Sequence, residues 1–273
     1  MNASADFSKR VELGRTGLQV SRLGLGAGYG VSQQACQRAF ERGLNYWFWG
    51  SARTPGMAQA IRSLGSAHRS DLVIVLQCYV RVPSLIRKSV ERGLAALNTD
   101  YADVLLLGWY DRVPSPKAMD VVEDLRRRGR FRHLALSTHR RSLVPELLPE
   151  GRYDAFHIRY NAAHTGAERD IFPSLPQQRA PGIVAFTCTR WGDLLNPQKM
   201  PPGEEPLSAT DCYRFALTSP HVAVATCGPK NDEELEQALR VLDSGPLGEA
   251  ELERVRRIGR HVYESKSVMD WFR

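Results

Sequence analysis

His157, Tyr110 and Asp111 are the titratable residues of this chain with complementary chemical roles. An imidazole exchanges protons near neutrality, so the three would make an acid–base centre if the fold brings them together. Arg53, Trp109, Arg159, Asn161 and Trp191 form a second set, joining guanidinium and amide donors to flat aromatic faces. That composition suits a pocket for an anion or an aromatic ring, because guanidinium pairs with carboxylate or phosphate and stacks on aromatics. A guanidinium held in an apolar site needs an anionic partner, supplied either by a ligand or by Asp111. Gly228, Lys230 and Asn231 surround Pro229, and the run reads equally as a phosphate-binding loop and as a plain turn that opens a helix. The five cysteines, Cys36, Cys78, Cys188, Cys212 and Cys227, contain no C-x-x-C pair and no histidine at ligand spacing. They are expected as buried inert thiols, with no metal site and a reducing cytoplasm as the setting.

These residues need a frame. Short apolar runs at 22–28, 44–50, 72–80, 103–109, 133–138, 155–161, 182–188 and 222–228 alternate with stretches whose apolar residues recur at three- and four-residue spacing. Strands joined by helices run parallel, and eight of them close most naturally as a single (β/α)8 barrel spanning residues 1–273 as one domain. The 273 residues and 42% hydrophobic content match the size of one such core. Before the first strand, two β-prone arms around Arg15-Thr16-Gly17 predict a hairpin that caps the barrel floor. Residues 189–207 form the longest irregular stretch and are expected near the rim as a lid. Sites in such barrels lie at the C-terminal ends of the strands, which places both chemical sets at the mouth. Period-two alternation puts His157, Arg159 and Asn161 on one face of the sixth strand. No window has the apolar length of a membrane span. The net charge of +7 comes with no nucleic-acid motif, so the basic runs at 125–133 and 139–141 read as solvated helix ends beside strands.

The segments LGRTGLQVSRLGLGAG, GLN before the second strand, LNTDYADVLLL, GRFRHLALST and CYRFALTSPHVAVATCGPKNDEELEQAL, in that order, resemble the aldo-keto reductase family over nearly the whole chain. The resemblance implies reduction of carbonyls by NADPH through an aspartate, tyrosine, lysine and histidine. At the matching positions this chain carries Phe48, Arg53, Gln77 and Gly108. Losing the aspartate and the lysine together leaves the site neutral and strands no buried charge. A guanidinium cannot take over from a phenol as proton donor, because it stays protonated near neutral pH. For the cofactor, the resemblance implies Ser137 and His157 at the nicotinamide and Gly228, Lys230 and Asn231 at the terminal phosphate, so NADP(H) binding is possible without being assured.

The expectation is therefore a pseudo-reductase that binds NADP(H) or a small anionic or aromatic ligand in the barrel mouth without the family's carbonyl reduction. The alternatives are a divergent NADP(H)-dependent oxidoreductase, a non-redox enzyme rebuilt on His157, Tyr110 and Asp111, and a scaffold that binds a partner protein. A small molecule is the expected ligand, with no nucleic acid and no membrane. The C-terminal VMDWFR reads as an aromatic tail that folds over the mouth or frays.

Overall fold

The computed structural model describes residues 6–26, 30–50 and 55–265. Arg53 and the tail VMDWFR lie outside the described residues. The hairpin comes first, as strands β1 (Val11–Glu12) and β2 (Gln19–Val20), paired antiparallel. Eight parallel strands then close on themselves: β3 (Leu23–Leu25), β4 (Tyr46–Trp49), β5 (Val73–Cys78), β6 (Ala102–Leu107), β7 (Phe131–Thr138), β8 (Ala155–Arg159), β9 (Gly182–Phe186) and β10 (Val222–Cys227), which returns to β3. Each falls within one residue run expected from sequence or extends it by a residue or two. The eight runs are apolar without interruption because both faces of a parallel barrel strand are buried.

The two faces build two cores. Tyr46, Val75, Val104, Leu106, Ala135, Val184 and Val224 point into the barrel. Trp47, Ile74, Leu105, Leu134 and Phe156 point out to the helices. That helical layer comprises α1 (Gln33–Glu41), α2 (Pro55–Leu64), α3 (Pro83–Leu97), α4 (Pro116–Arg127), α5 (Leu143–Leu147), α6 (Ala167–Asp170), α7 (Ala209–Thr218), α8 (Asp232–Leu239) and α9 (Glu249–Glu264). Local sequence sets their ends. Ser32 and Ser115 accept the backbone N–H groups of Ala35 and Ala118, and Ser208 forms a capping box with Asp211.

The hairpin closes the floor. Leu13 is fully buried with the inward core, and a side chain on Gly182 would meet Leu13 Cδ1 at 2.5 Å. Gly14 sits at φ +54°, where a Cβ would lie 2.7 Å from the Ala180 carbonyl, so both backbone and space demand glycine there. Residues 189–207 are tied down. They hold two 3-10 turns, Arg190–Leu195 and Pro197–Lys199, and Glu204 accepts from Arg254 and Arg257 of α9. Among the described residues, no helix is long and apolar enough to cross a membrane.

Candidate ligand site at the barrel mouth

A cavity of about 270 Å³ opens at the C-terminal ends of the strands. Phe48, Gln77, Leu106, Ser137, His157, Phe186 and Thr226 reach it by the inward alternation of their strands, and Gly26 and Gly228 border it. Its rim carries three exposed aromatics, Tyr79, Trp109 and Trp191. Left-handed backbone is concentrated at this end, with Asn98 and Arg179 the other non-glycine cases among the described residues. Trp109, Thr187, Arg190 and Trp191 all take positive φ, between 51° and 60°, at a cost of about 1–2 kcal/mol for each non-glycine residue.

Phe48, Gln77 and Gly108, at three of the four positions compared with the family's reactive set, come together here. The Gln77 side chain lies between Gly50 and Gly108: a Cβ at 50 would lie 3.1 Å from Gln77 Oε1, and one at 108 would overlap Nε2. Gln77 Oε1 is buried and has no hydrogen-bond partner. A buried acceptor left open in this way costs about 1–3 kcal/mol.

His157 is buried and its Nε2 lies 2.7 Å from the Tyr46 hydroxyl, deeper in the barrel. Burial pushes the imidazole down to about 3 and raises the Tyr46 phenol, so both are neutral across the physiological range. The acid–base set expected from sequence does not assemble. Tyr110 belongs to the outer core, its hydroxyl buried without a partner and its ring under Arg81, and burial raises its phenol. Asp111 is exposed and lies near Arg81 and Arg112, at 3.8 and 3.6 Å. The cause is local: the left-handed backbone at Trp109 breaks the alternation and turns the residues after it away from the barrel axis.

Other expected pocket residues divide in the same way. Trp109 and Trp191 line the cavity. Asn161 does not face a ligand: it is fully buried, donates to the Thr187 carbonyl and accepts from the amides of Ala163 and His164, closing a tight turn. Arg159 ends β8 opposite Phe186 and is half-buried. Asp111, offered by the sequence as its partner, is engaged with Arg81 and Arg112 instead. Sequence reading missed Phe186, His139 and the pairing of Tyr46 with His157, although inward alternation along β4 and β9 marks Tyr46 and Phe186. His139 accepts from the Trp109 indole N–H at 2.9 Å and packs edge-on against Phe186 at 5.2 Å. Burial and then Arg159 hold its imidazole below the usual histidine range. Cys78, Cys188 and Cys227 are buried, and among the described residues no group of three or more His, Cys, Asp and Glu could hold a metal ion.

The sequence model of the Aldo/keto reductase family matches residues 32–195, more than half of the chain. The chain belongs to that family. An L-galactose dehydrogenase of Arabidopsis thaliana is 22% identical over 258 residues, covering 84% of this chain and 78% of that protein. The methylglyoxal reductase YeaE of Escherichia coli is 30% identical over 109 residues, 39% of this chain and 38% of its own. Among solved structures, aldo-keto reductase AKR11C1 of Bacillus halodurans superposes with a TM-score of 0.77 in its holo form and 0.74 in its apo form. Both are 19% identical and cover 92% of this chain and 96% and 95% of their own.

The family resemblance implies NADP(H), and the two ends of that cofactor meet different surroundings in this aldo-keto reductase. At the ring end, Ser137, Phe186, Thr187 and Gly228 border one cavity, and Gly228 has open space before it. Ser137 Oγ already accepts the Trp109 amide at 2.9 Å. At the phosphate end, the start of α8 is closed by its own side chains. Asn231 accepts from the Glu234 amide, the Glu234 carboxylate accepts from the Lys230 amide, and the first turn holds Asp232, Glu233 and Glu234. A phosphate at a helix N-terminus needs free amides and positive potential. Here two of the amides, of Lys230 and Glu234, are taken, and three carboxylates make the first turn acidic. The cavity has room for a nicotinamide-sized ring, whereas the acidic first turn of α8, beside the exposed Lys230, disfavours a terminal phosphate.

Proposed function

We propose that this chain is a pseudo-reductase: an aldo-keto reductase barrel that binds a small aromatic or anionic ligand in its mouth, in the cytoplasm, and does not carry out the family's carbonyl reduction. The observation that carries this reading is the Gln77 amide packed over Gly108. The group standing where the resemblance implies a lysine is neutral, and it fills the space a histidine at 108 would enter. A neutral amide cannot lower the pKa of a phenol, and among the described residues no phenol lines the cavity except the exposed Tyr79 of the rim. The neutral His157–Tyr46 pair supports the same reading, since an imidazole held near pKa 3 is a poor base at neutral pH.

A divergent NADP(H)-dependent oxidoreductase is the second reading, favoured by Ser137, Phe186 and Gly228 bordering one cavity. The two are separated by titrating the protein with NADPH and NADH while following energy transfer from tryptophan to the reduced ring, and by assaying NADPH consumption with simple aldehydes. The pseudo-reductase reading expects no aldehyde-dependent turnover and no preference for NADPH over NADH. Robust aldehyde-dependent oxidation of NADPH would overturn it.

A further inference from the structure

We propose that Arg159 is the anion receptor of the barrel mouth, holding the carboxylate or phosphate of a ligand whose ring lies in the aromatic cavity. The inference rests on the reading above that the mouth binds a ligand, and it names the chemistry of that ligand. Arg159 follows Ala155 and His157 on the inward face of β8, one step above the His157 side chain that lines the cavity. Its neighbour in register is Phe186, which also lines the cavity. The side chain is half-buried, and among the described residues it makes no hydrogen bond and no ion pair.

The acids of this region are already engaged. Asp170 takes Arg141 at 2.6 Å and Arg169 at 2.7 Å, and Asp193 takes Arg190 at 3.3 Å and Lys199 at 2.7 Å. Charged groups near Arg159 are mostly of its own sign. Burial and then Arg141 and Arg190 push its pKa down, the Tyr263 phenol acts in the opposite sense, and Arg159 in turn depresses His139. A partly desolvated guanidinium with two other arginines near it is unfavourable in the free protein and becomes favourable when an anion arrives. Its planar fork suits carboxylate and phosphate alike.

The ring half of the recognition is supplied next door. Phe48, Phe186, Trp109 and Trp191 line a cavity of about 270 Å³, room enough for a fused bicyclic ring. His139 ties two members of that wall together, touching Trp109 on one side and Phe186 on the other. The predicted ligand is therefore an aromatic or heteroaromatic ring bearing one carboxylate or phosphate.

Naphthol, naphthoate and naphthyl phosphate share a ring and differ in charge, so their affinities for the wild-type chain and for Arg159→Met, Arg159→Lys and Arg92→Met, measured by tryptophan quenching, test the inference. Both anions are expected to bind at least about tenfold tighter than naphthol, and the tighter of the two identifies the headgroup. Arg159→Met should erase that preference while naphthol still binds. Arg159→Lys should keep part of it, and Arg92→Met, an exposed arginine of α3, should keep all of it. Because Arg159 has no partner to lose among the described residues, the Met variant should melt no lower than wild type. A preference that survives in Arg159→Met, or binding of both anions no tighter than naphthol, overturns the anion receptor and leaves the ligand site standing. Failure of all three probes to bind overturns the ligand site and the receptor with it.

Discussion

The floor and the mouth of this barrel are built from the same eight strands and treat polar groups in opposite ways. At the floor, Asp103 accepts the Ile74 amide at 2.9 Å and pairs with Arg69 at 2.8 Å and Arg132 at 3.5 Å. Asp154, just before β8, accepts the Leu134 amide and pairs with Arg15 and Arg126. The Arg22 and Arg126 side chains each leave Nε open there but donate through another nitrogen. At the mouth, Gln77 Oε1, Trp49 Nε1 and Thr187 Oγ1 are buried without partners, Arg159 is unpaired among the described residues, and four residues with side chains hold left-handed backbone. Satisfied groups hold a fold together, and unsatisfied ones are tolerated where something else is to be bound.

The largest effect that would break this contrast is at the floor. Asp103→Ala leaves the Arg69 guanidinium and the Ile74 amide without their acceptor, and should lower the free energy of unfolding by about 3–5 kcal/mol in a urea titration. A loss below about 1 kcal/mol would mean the floor network contributes little.

Next comes His157, whose effect depends on pH. Burial holds its folded pKa at about 3, against about 6.5 in an unfolded chain. Between those values the unfolded chain binds a proton that the folded one does not. Stability should therefore rise with pH from about 3 to 6.5 and level off above, with this residue contributing a few kcal/mol to the slope. His157→Gln should flatten that part of the profile, and an unchanged slope would show that the imidazole charges in place.

Gly108→His sharpens the mouth side of the comparison. The new side chain overlaps the Gln77 amide and should cost about 1–3 kcal/mol as overpacking. Adding Gln77→Ala should recover most of the loss, and additive effects in that double-mutant cycle would mean the two positions do not share the space.

The smallest effect is expected at Trp191, exposed at φ +54°. Trp191→Gly relieves the left-handed strain and should leave stability unchanged or raise it by up to about 1 kcal/mol, while weakening naphthol binding. A fall in stability would indicate that the indole packs as structure rather than as a rim for ligand.

The frame was legible because buried parallel strands write themselves as apolar runs, and the hairpin because Gly17 and Gly14 mark its turn. Much of the mouth was legible too: Trp109 and His157 follow from counting to the ends of strands, and Phe48, Gln77, Ser137 and Gly228 from the family resemblance. What was not legible depends on closure or on one backbone angle. The Tyr46–His157 bond joins residues 111 positions apart that meet only when β4 and β8 face each other across a closed barrel. The outward turn of Tyr110 follows from φ at Trp109, and no spacing rule gives the φ of a tryptophan. The wedge of Gln77 over Gly108 needs the register of β5 on β6, which pairs Cys78 with Leu107.

The distribution of indoles has a spectroscopic consequence. Of the four described tryptophans, Trp47 and Trp49 are sealed in the outer core, while Trp109 and Trp191 stand in water on the rim of the cavity. Among the described tryptophans the red edge of the emission spectrum therefore belongs to the mouth and the blue edge to the barrel wall, a two-colour gauge in which a guest entering the cavity dims one band and leaves the other as an internal standard.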